Sequence, residues 1–138
     1  MTDEYNVVNE VDSHEDTSIV VVADDNQDNL IFISFILDAL NLKYYLASDG
    51  KTALDLVNDK QPDLVLLDIV MPIMNGIEVN IVIKANQSTR HIPTVAITAL
   101  AESEHITSIK NAGFNDYIVK PFMIEELETK LKSFLKIG

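Results

Sequence analysis

Short blocks of consecutive apolar residues alternate along this chain with longer stretches in which apolar positions recur every three or four residues. Ile19-Val20-Val21-Val22-Ala23, Leu64-Val65-Leu66-Leu67, Val95-Ala96-Ile97 and Tyr117-Ile118-Val119 are continuous blocks bounded by polar residues. Short β-branched runs of this kind read as strands buried on both faces. Residues 43–47 form a weaker strand. Between the strands, helical spacing is read over residues 27–40, 50–58, 77–86, 102–111 and 123–135. Ser48 or Asp49 can cap the second helix. Pro62 and Pro93 precede the third and fourth strands, and Gly113 closes the fourth helix in the left-handed conformation. Five strand–helix units with short connections predict an α/β fold, a doubly wound five-stranded parallel sheet with helices on both faces. No internal repeat and no second domain are visible.

The strand ends carry the chemistry. The first block runs into Asp24-Asp25, the third strand into Asp68, the fourth into Thr98 and the fifth into Lys120-Pro121. Ligands of an open parallel sheet sit outside the carboxyl ends of its strands, so side-by-side strands would gather these side chains into one pocket. Two carboxylates about 4 Å apart repel by about 4 kcal/mol at an effective dielectric of 20. Either their pKa values rise or a cation neutralises them. A small oxygen-lined acidic site suits Mg2+. A Lys ammonium and a Thr hydroxyl would complete a phosphoryl-binding shell, and a central carboxylate can act as nucleophile to give an aspartyl phosphate. Singly, each residue is an ordinary cap, turn, strand or surface residue. Their joint occurrence at successive strand ends is what matters.

From about Ser18 to Ile137 the chain resembles a two-component response-regulator receiver domain. The resemblance rests on Asp24-Asp25-Asn26, on Asp68-Ile69-Val70-Met71-Pro72 with Asn75-Gly76, on Thr98-Ala99, and on 112–117 leading into Lys120-Pro121-Phe122. It implies a flavodoxin-like strand order of 2-1-3-4-5 and a phosphoryl group accepted on Asp68 from a partner's phosphohistidine. It further implies Mg2+ held by Asp25, Asp68 and the Val70 carbonyl, with Asp24 helping directly or through water. Lys120 would pair with the phosphoryl group, Thr98 would bond it in the active state, and Tyr117 would be the switch aromatic that follows Thr98. The Lys120-Pro121 bond is cis in the family. The implied partners are a sensor histidine kinase or histidine phosphotransfer protein and a downstream target, and the implied readout face is the fourth helix, fifth strand and fifth helix.

Composition narrows this reading. A net charge of -12 over 138 residues argues against a direct nucleic-acid partner, which needs clustered Lys and Arg. Half of that charge comes from six acidic groups in residues 1–18, which contain no Lys or Arg; residues 1–17 read as a disordered acidic tail and 18–138 as the receiver. No apolar stretch reaches the roughly 20 residues a membrane helix needs. With no Cys and no signal-type leader, a cytoplasmic, stand-alone regulator is expected. It is expected to act as a switch rather than an enzyme, beyond self-phosphorylation from small donors and self-dephosphorylation. Two alternatives stand beside it. One is a phosphatase of the haloacid dehalogenase type, which wants an Asp where Val70 stands and a cap domain. The other is a receiver-like module that binds partners without being phosphorylated.

On a helical wheel, Leu30, Ile33, Ile36, Leu37 and Leu40 form the core-facing stripe of the first helix. Ile31 and Phe35 fall nearly opposite, with Phe32 between, where receivers usually carry polar residues. Such residues are either scattered surface hydrophobes or a patch for a phosphodonor's helical bundle or for self-association. Ile81 and Val82 repeat the pattern mildly in the third helix. Val70 and Leu100 flank the expected phosphoryl site and cannot orient water, so a long-lived phosphoryl state is expected. His14, His91 and His105 form no ligand cluster in sequence; His105 is assigned at most a partner contact.

Overall fold

The computed structural model describes residues 17–137; His14 and all of the predicted acidic tail but Thr17 lie outside them. The chain runs β1 (Ile19–Ala23), α1 (Gln27–Ala39), β2 (Lys43–Ala47), α2 (Gly50–Lys60), β3 (Leu64–Asp68), α3 (Gly76–Ala85), β4 (Thr94–Thr98), α4 (Ser103–Asn111), β5 (Asp116–Val119) and α5 (Ile124–Phe134). The five strands form one parallel sheet in the order β2-β1-β3-β4-β5, as expected.

Alternation along the strands splits the core into two layers. Val21, Ala23, Val65, Leu67 and Ala96 face one side and pack with Leu56, Val57, Val79, Ile83 and Ile109 from α2, α3 and α4. Val20, Val22, Leu64, Leu66 and Ile97 face the other, against Ile33, Leu37, Leu127 and Leu131 from α1 and α5. The strands are therefore apolar at nearly every position because both faces are covered.

Helix ends follow local capping chemistry. Asn26 caps α1, accepting from the Asn29 N–H, and Asp49 caps α2, accepting from the Thr52 N–H. Asn75 and Glu78 form a reciprocal capping box, which starts α3 one residue earlier than the apolar pattern predicts. Helix α2 runs two residues past the predicted end and stops at Gln61, held at φ 48°. A Gln in the left-handed region gives no sequence signal of the kind that Gly113, at φ 92°, supplies.

Register aligns the functional ends. Ala23 pairs with Leu67, Asp68 with Ile97 and Thr98 with Val119, so Asp24, Asp68, Thr98 and Lys120 end their strands at one level. The connection from β1 leaves toward β2 and that from β3 toward β4, which makes the cleft between β1 and β3 the topological switch point.

Gly76 sits against the loop that follows Asp68. Its N–H donates to the Ile69 carbonyl at 2.9 Å, and a Cβ there would run into the Asp68 carbonyl oxygen and lie 3.0 Å from the Ile69 Cα. Because these are backbone atoms, nothing can swing aside. Gly76→Ala is expected to cost about 2 kcal/mol, measured by urea unfolding; an unchanged midpoint would contradict this close approach.

Candidate functional site

At the carboxyl end of the sheet the three aspartates occupy different environments. Asp24, the residue after β1, is fully buried, while Asp25 is exposed. The Asp24 Oδ1 accepts from the Asn26 N–H at 2.9 Å, and its Oδ2 accepts from the Asn29 amide at 3.2 Å. Asp68 is 5% exposed. Its Oδ1 accepts from the Val70 N–H at 2.9 Å, and its Oδ2 accepts from the Lys120 ammonium at 2.6 Å. That ammonium also lies 3.2 Å from the Asp24 Oδ2, so Lys120 bridges two buried carboxylates. The Lys120-Pro121 peptide is cis.

The electrostatics are unbalanced. Burial pushes the Asp68 carboxyl above its ordinary pKa, and Asp24 adds to the rise; the Lys120 and Val70 donors only partly oppose it. Burial alone would lower the Lys120 ammonium, but its bonds to Asp68 and the field of Asp24 outweigh that and hold it above the usual lysine value. Asp24, Asp25 and Asp68 each offer a carboxylate oxygen, all within 4.8 Å of one another. Three carboxylates against one ammonium leave two formal negative charges in their ionised forms. Hard oxygen donors with that charge fit a divalent cation of the Mg2+ class.

Thr98 is buried at the end of β4. Its Oγ1 accepts from the Leu100 N–H at 3.1 Å and lies 2.8 Å from the His105 Nε2. Tyr117 is half-buried at the edge of the α2–α3–α4 core layer, with the Lys130 ammonium 5.9 Å from its ring. Val70 and Leu100 are exposed at the mouth of the same pocket, which Asp25, Asp68, Thr98 and Lys120 also line. Ile31 and Phe35 are 51% and 68% exposed on α1, and Phe32 packs its ring 5.8 Å from that of Phe122. Ile81 is exposed and Val82 half-buried on α3; His91 is exposed in the loop before β4.

Thus Asp24, Asp25, Asp68, Thr98, Lys120 and the Val70 backbone come together, while Tyr117 and the α1 patch lie outside the carboxylate cluster. The sequence reading missed His105. It was assigned no chemistry, yet it faces Thr98; the turn between β4 and α4 sets that contact, and no periodicity encodes it. Asn29 was also missed, although its place one turn into α1 after the Asp pair could have marked it.

The family profile of the response regulator receiver domain matches residues 20–132. The chain belongs to that family. It is 33% identical over 119 residues to the polar-differentiation response regulator DivK of Brucella ovis, covering 86% of this chain and 97% of the relative. DivK of Brucella anthropi is 33% identical over 116 residues. Among solved structures, the Vibrio cholerae chemotaxis protein CheY4 superimposes with a TM-score of 0.81 at 25% identity, covering 86% of this chain and 99% of that one. The receiver domain of a Pseudomonas aeruginosa sensor histidine kinase gives a TM-score of 0.80 at 29% identity, covering 86% of this chain and 97% of that one, and carries a magnesium ion in its active-site cleft. Receivers of this family are switches in two-component signalling. Among the described residues no helix is long and apolar enough to cross a membrane.

Proposed function

We propose that this receiver is a phosphoacceptor switch in which Asp68 takes a phosphoryl group from the phosphohistidine of a sensor kinase or phosphotransfer protein. A carboxylate oxygen of Asp68 attacks phosphorus, the P–N bond breaks, and the departing imidazole keeps the electron pair and takes up a proton. The observation that carries this reading is the Lys120 ammonium held 2.6 Å from Asp68 and 3.2 Å from Asp24. A fixed positive charge beside the nucleophile stabilises the charge on the transferring oxygens. Asp24, Asp25, Asp68 and the Val70 carbonyl would hold Mg2+, which when bound supplies further positive charge against those oxygens.

The acyl phosphate carries about -1.5 to -2 charges where the ionised Asp68 carboxylate carried -1, and it brings new acceptor oxygens. Lys120 then pairs with a phosphoryl oxygen, and the Thr98 hydroxyl gains an acceptor that exists only in that state. Tyr117, at the edge of the core layer beneath α4, follows Thr98 inward. A group bonded in only one of two states biases their equilibrium, and the signal passes to a downstream protein or onward carrier through α4, β5 and α5. Phosphoryl addition to wild type but not to Asp68→Asn tests the reading.

Ile31, Phe32 and Phe35, with Phe122 beside the Lys120-Pro121 turn, form an apolar face next to the site. It suits the helices of the phosphodonor. Charging Ile31 and Phe35 together as Glu is expected to leave stability within about 0.5 kcal/mol and phosphorylation by acetyl phosphate unchanged. Transfer from the protein donor should fall about tenfold, the loss of a modest hot spot. Unchanged transfer removes the patch from donor docking, and a changed sedimentation profile would assign it to self-association instead.

Val70 is 74% exposed and Leu100 49% exposed, and neither side chain can orient an attacking water. The phosphoryl group is therefore expected to outlast that of a Val70→Asn variant several-fold when label loss is followed from isolated protein. Equal lifetimes would contradict this.

A further inference from the structure

Helix α4 is lightly tied down: like Met123 of α5, its N-cap residue Glu102 makes no side-chain cap bond, and it buries one side chain where α5 buries two. Asn26, Asp49 and Asn75, by contrast, cap α1, α2 and α3. Ile109 is the one fully buried side chain of α4 among the described residues. A helix with uncapped first-turn N–H groups and little buried apolar surface opens locally at low cost. The polar contact that does hold its first turn to the sheet is the 2.8 Å approach of the His105 Nε2 to the Thr98 Oγ1.

The contact can be made with either imidazole tautomer. The Thr98 hydroxyl has one proton and two acceptor lone pairs. One lone pair takes the Leu100 N–H at 3.1 Å. For the proton there are two acceptors, the His105 Nε2 at 2.8 Å and the Leu100 carbonyl at 3.4 Å. Either the hydroxyl donates to Nε2, or it donates to the Leu100 carbonyl while an Nε2–H fills its second lone pair. In both arrangements the hydroxyl proton is already engaged and must be redirected before it can bond a phosphoryl oxygen.

We propose that His105 is a positioning residue that latches the Thr98 hydroxyl to the first turn of α4, and that the latch opens when a phosphoryl group on Asp68 takes that hydroxyl. The release of α4 rests on the phosphoacceptor reading; the latch in the unphosphorylated protein does not. His105 thereby links the event at β4 directly to the helix on the readout face, independently of Tyr117. Because the latch holds the hydroxyl in its unphosphorylated bonding, it also disfavours the phosphorylated arrangement.

The test is amide hydrogen exchange of the unphosphorylated protein, read at Ile106, whose N–H donates to the Glu102 carbonyl at 3.0 Å. His105→Ala should speed that exchange about fivefold, the worth of one net hydrogen bond, and should speed acquisition of phosphoryl from acetyl phosphate by a similar factor. His105→Gln, whose amide reaches the same place as Nε2, should return both toward wild type. Thr98→Ala should loosen Ile106 as His105→Ala does, and the double variant should add nothing further. Unchanged exchange in His105→Ala, additive effects in the double variant, or a Gln variant that behaves as Ala would each overturn the latch. A wild type that accepts no phosphoryl group would overturn the proposed release and the phosphoacceptor reading alike, while the exchange comparison would still decide whether the latch exists.

Discussion

Lys120→Met is expected to destabilise the protein in metal-free buffer near neutral pH by about 3 kcal/mol, the cost of removing one partner from a buried ion pair. In a domain of this size that lowers the melting temperature by about 10 °C. The reason lies in what remains: Asp24, fully buried, and Asp68, 5% exposed, would face each other with no ammonium between them. Burial already raises the Asp68 carboxyl, and Lys120 is its chief opposing influence. Without it, the folded-state pKa rises further above the unfolded value. A carboxyl raised in this way holds its proton better folded than unfolded, so stability is intact below the unfolded pKa and is lost as pH rises through the folded one. The deficit of Lys120→Met should accordingly be small near pH 4 and widen toward neutrality, in urea unfolding at a series of pH values. Mg2+ should recover more stability in the variant than it adds to wild type. A deficit that does not change with pH would mean that Lys120 acts through packing alone.

Asp68→Asn is expected to move activity and stability in opposite directions. The carboxamide has no nucleophilic oxygen anion, so phosphoryl addition should disappear entirely. The same change removes a buried charge whose ionised form the site disfavours, while Lys120 keeps Asp24 as its partner. Stability without divalent cations should rise by about 1 kcal/mol, as when a strained functional group is removed. The Mg2+-dependent rise in melting temperature should shrink, since one of three clustered carboxylates has gone. Destabilisation by Asp68→Asn would show that the Asp68–Lys120 bond outweighs the desolvation of the carboxylate.

Much of this was legible in the sequence because parallel strands buried on both faces leave long apolar blocks, and the first polar residue after each block marks its carboxyl end. That is how Asp24, Asp68, Thr98 and Lys120 could be placed together before any contact was seen. The α1 wheel likewise separated buried Leu30, Ile33, Ile36 and Leu37 from exposed Ile31 and Phe35. What stayed hidden depends on loop geometry. Asp24 and Asp25 are neighbours of equal chemistry, yet one is fully buried and the other exposed, which only the turn into α1 decides. The end of α2 falls at exposed Gln61, held at φ 48° by local bonds to Val57 and Asn58, a left-handed conformation that its side chain does not announce. His105 meets Thr98 through the path of the β4–α4 turn, so its spacing carried no sign of the contact.

The most direct test of the account is peptide mass mapping of the wild-type protein after incubation with acetyl phosphate, with and without Mg2+. The account predicts a single phosphoryl addition that requires Mg2+, lies on the peptide containing Asp68 and is released by hydroxylamine, as an acyl phosphate must be. A stable addition on a hydroxyl side chain would contradict it. So would the absence of any addition from both acetyl phosphate and a phosphohistidine donor, and the domain would then act as a binding module that needs no phosphorylation.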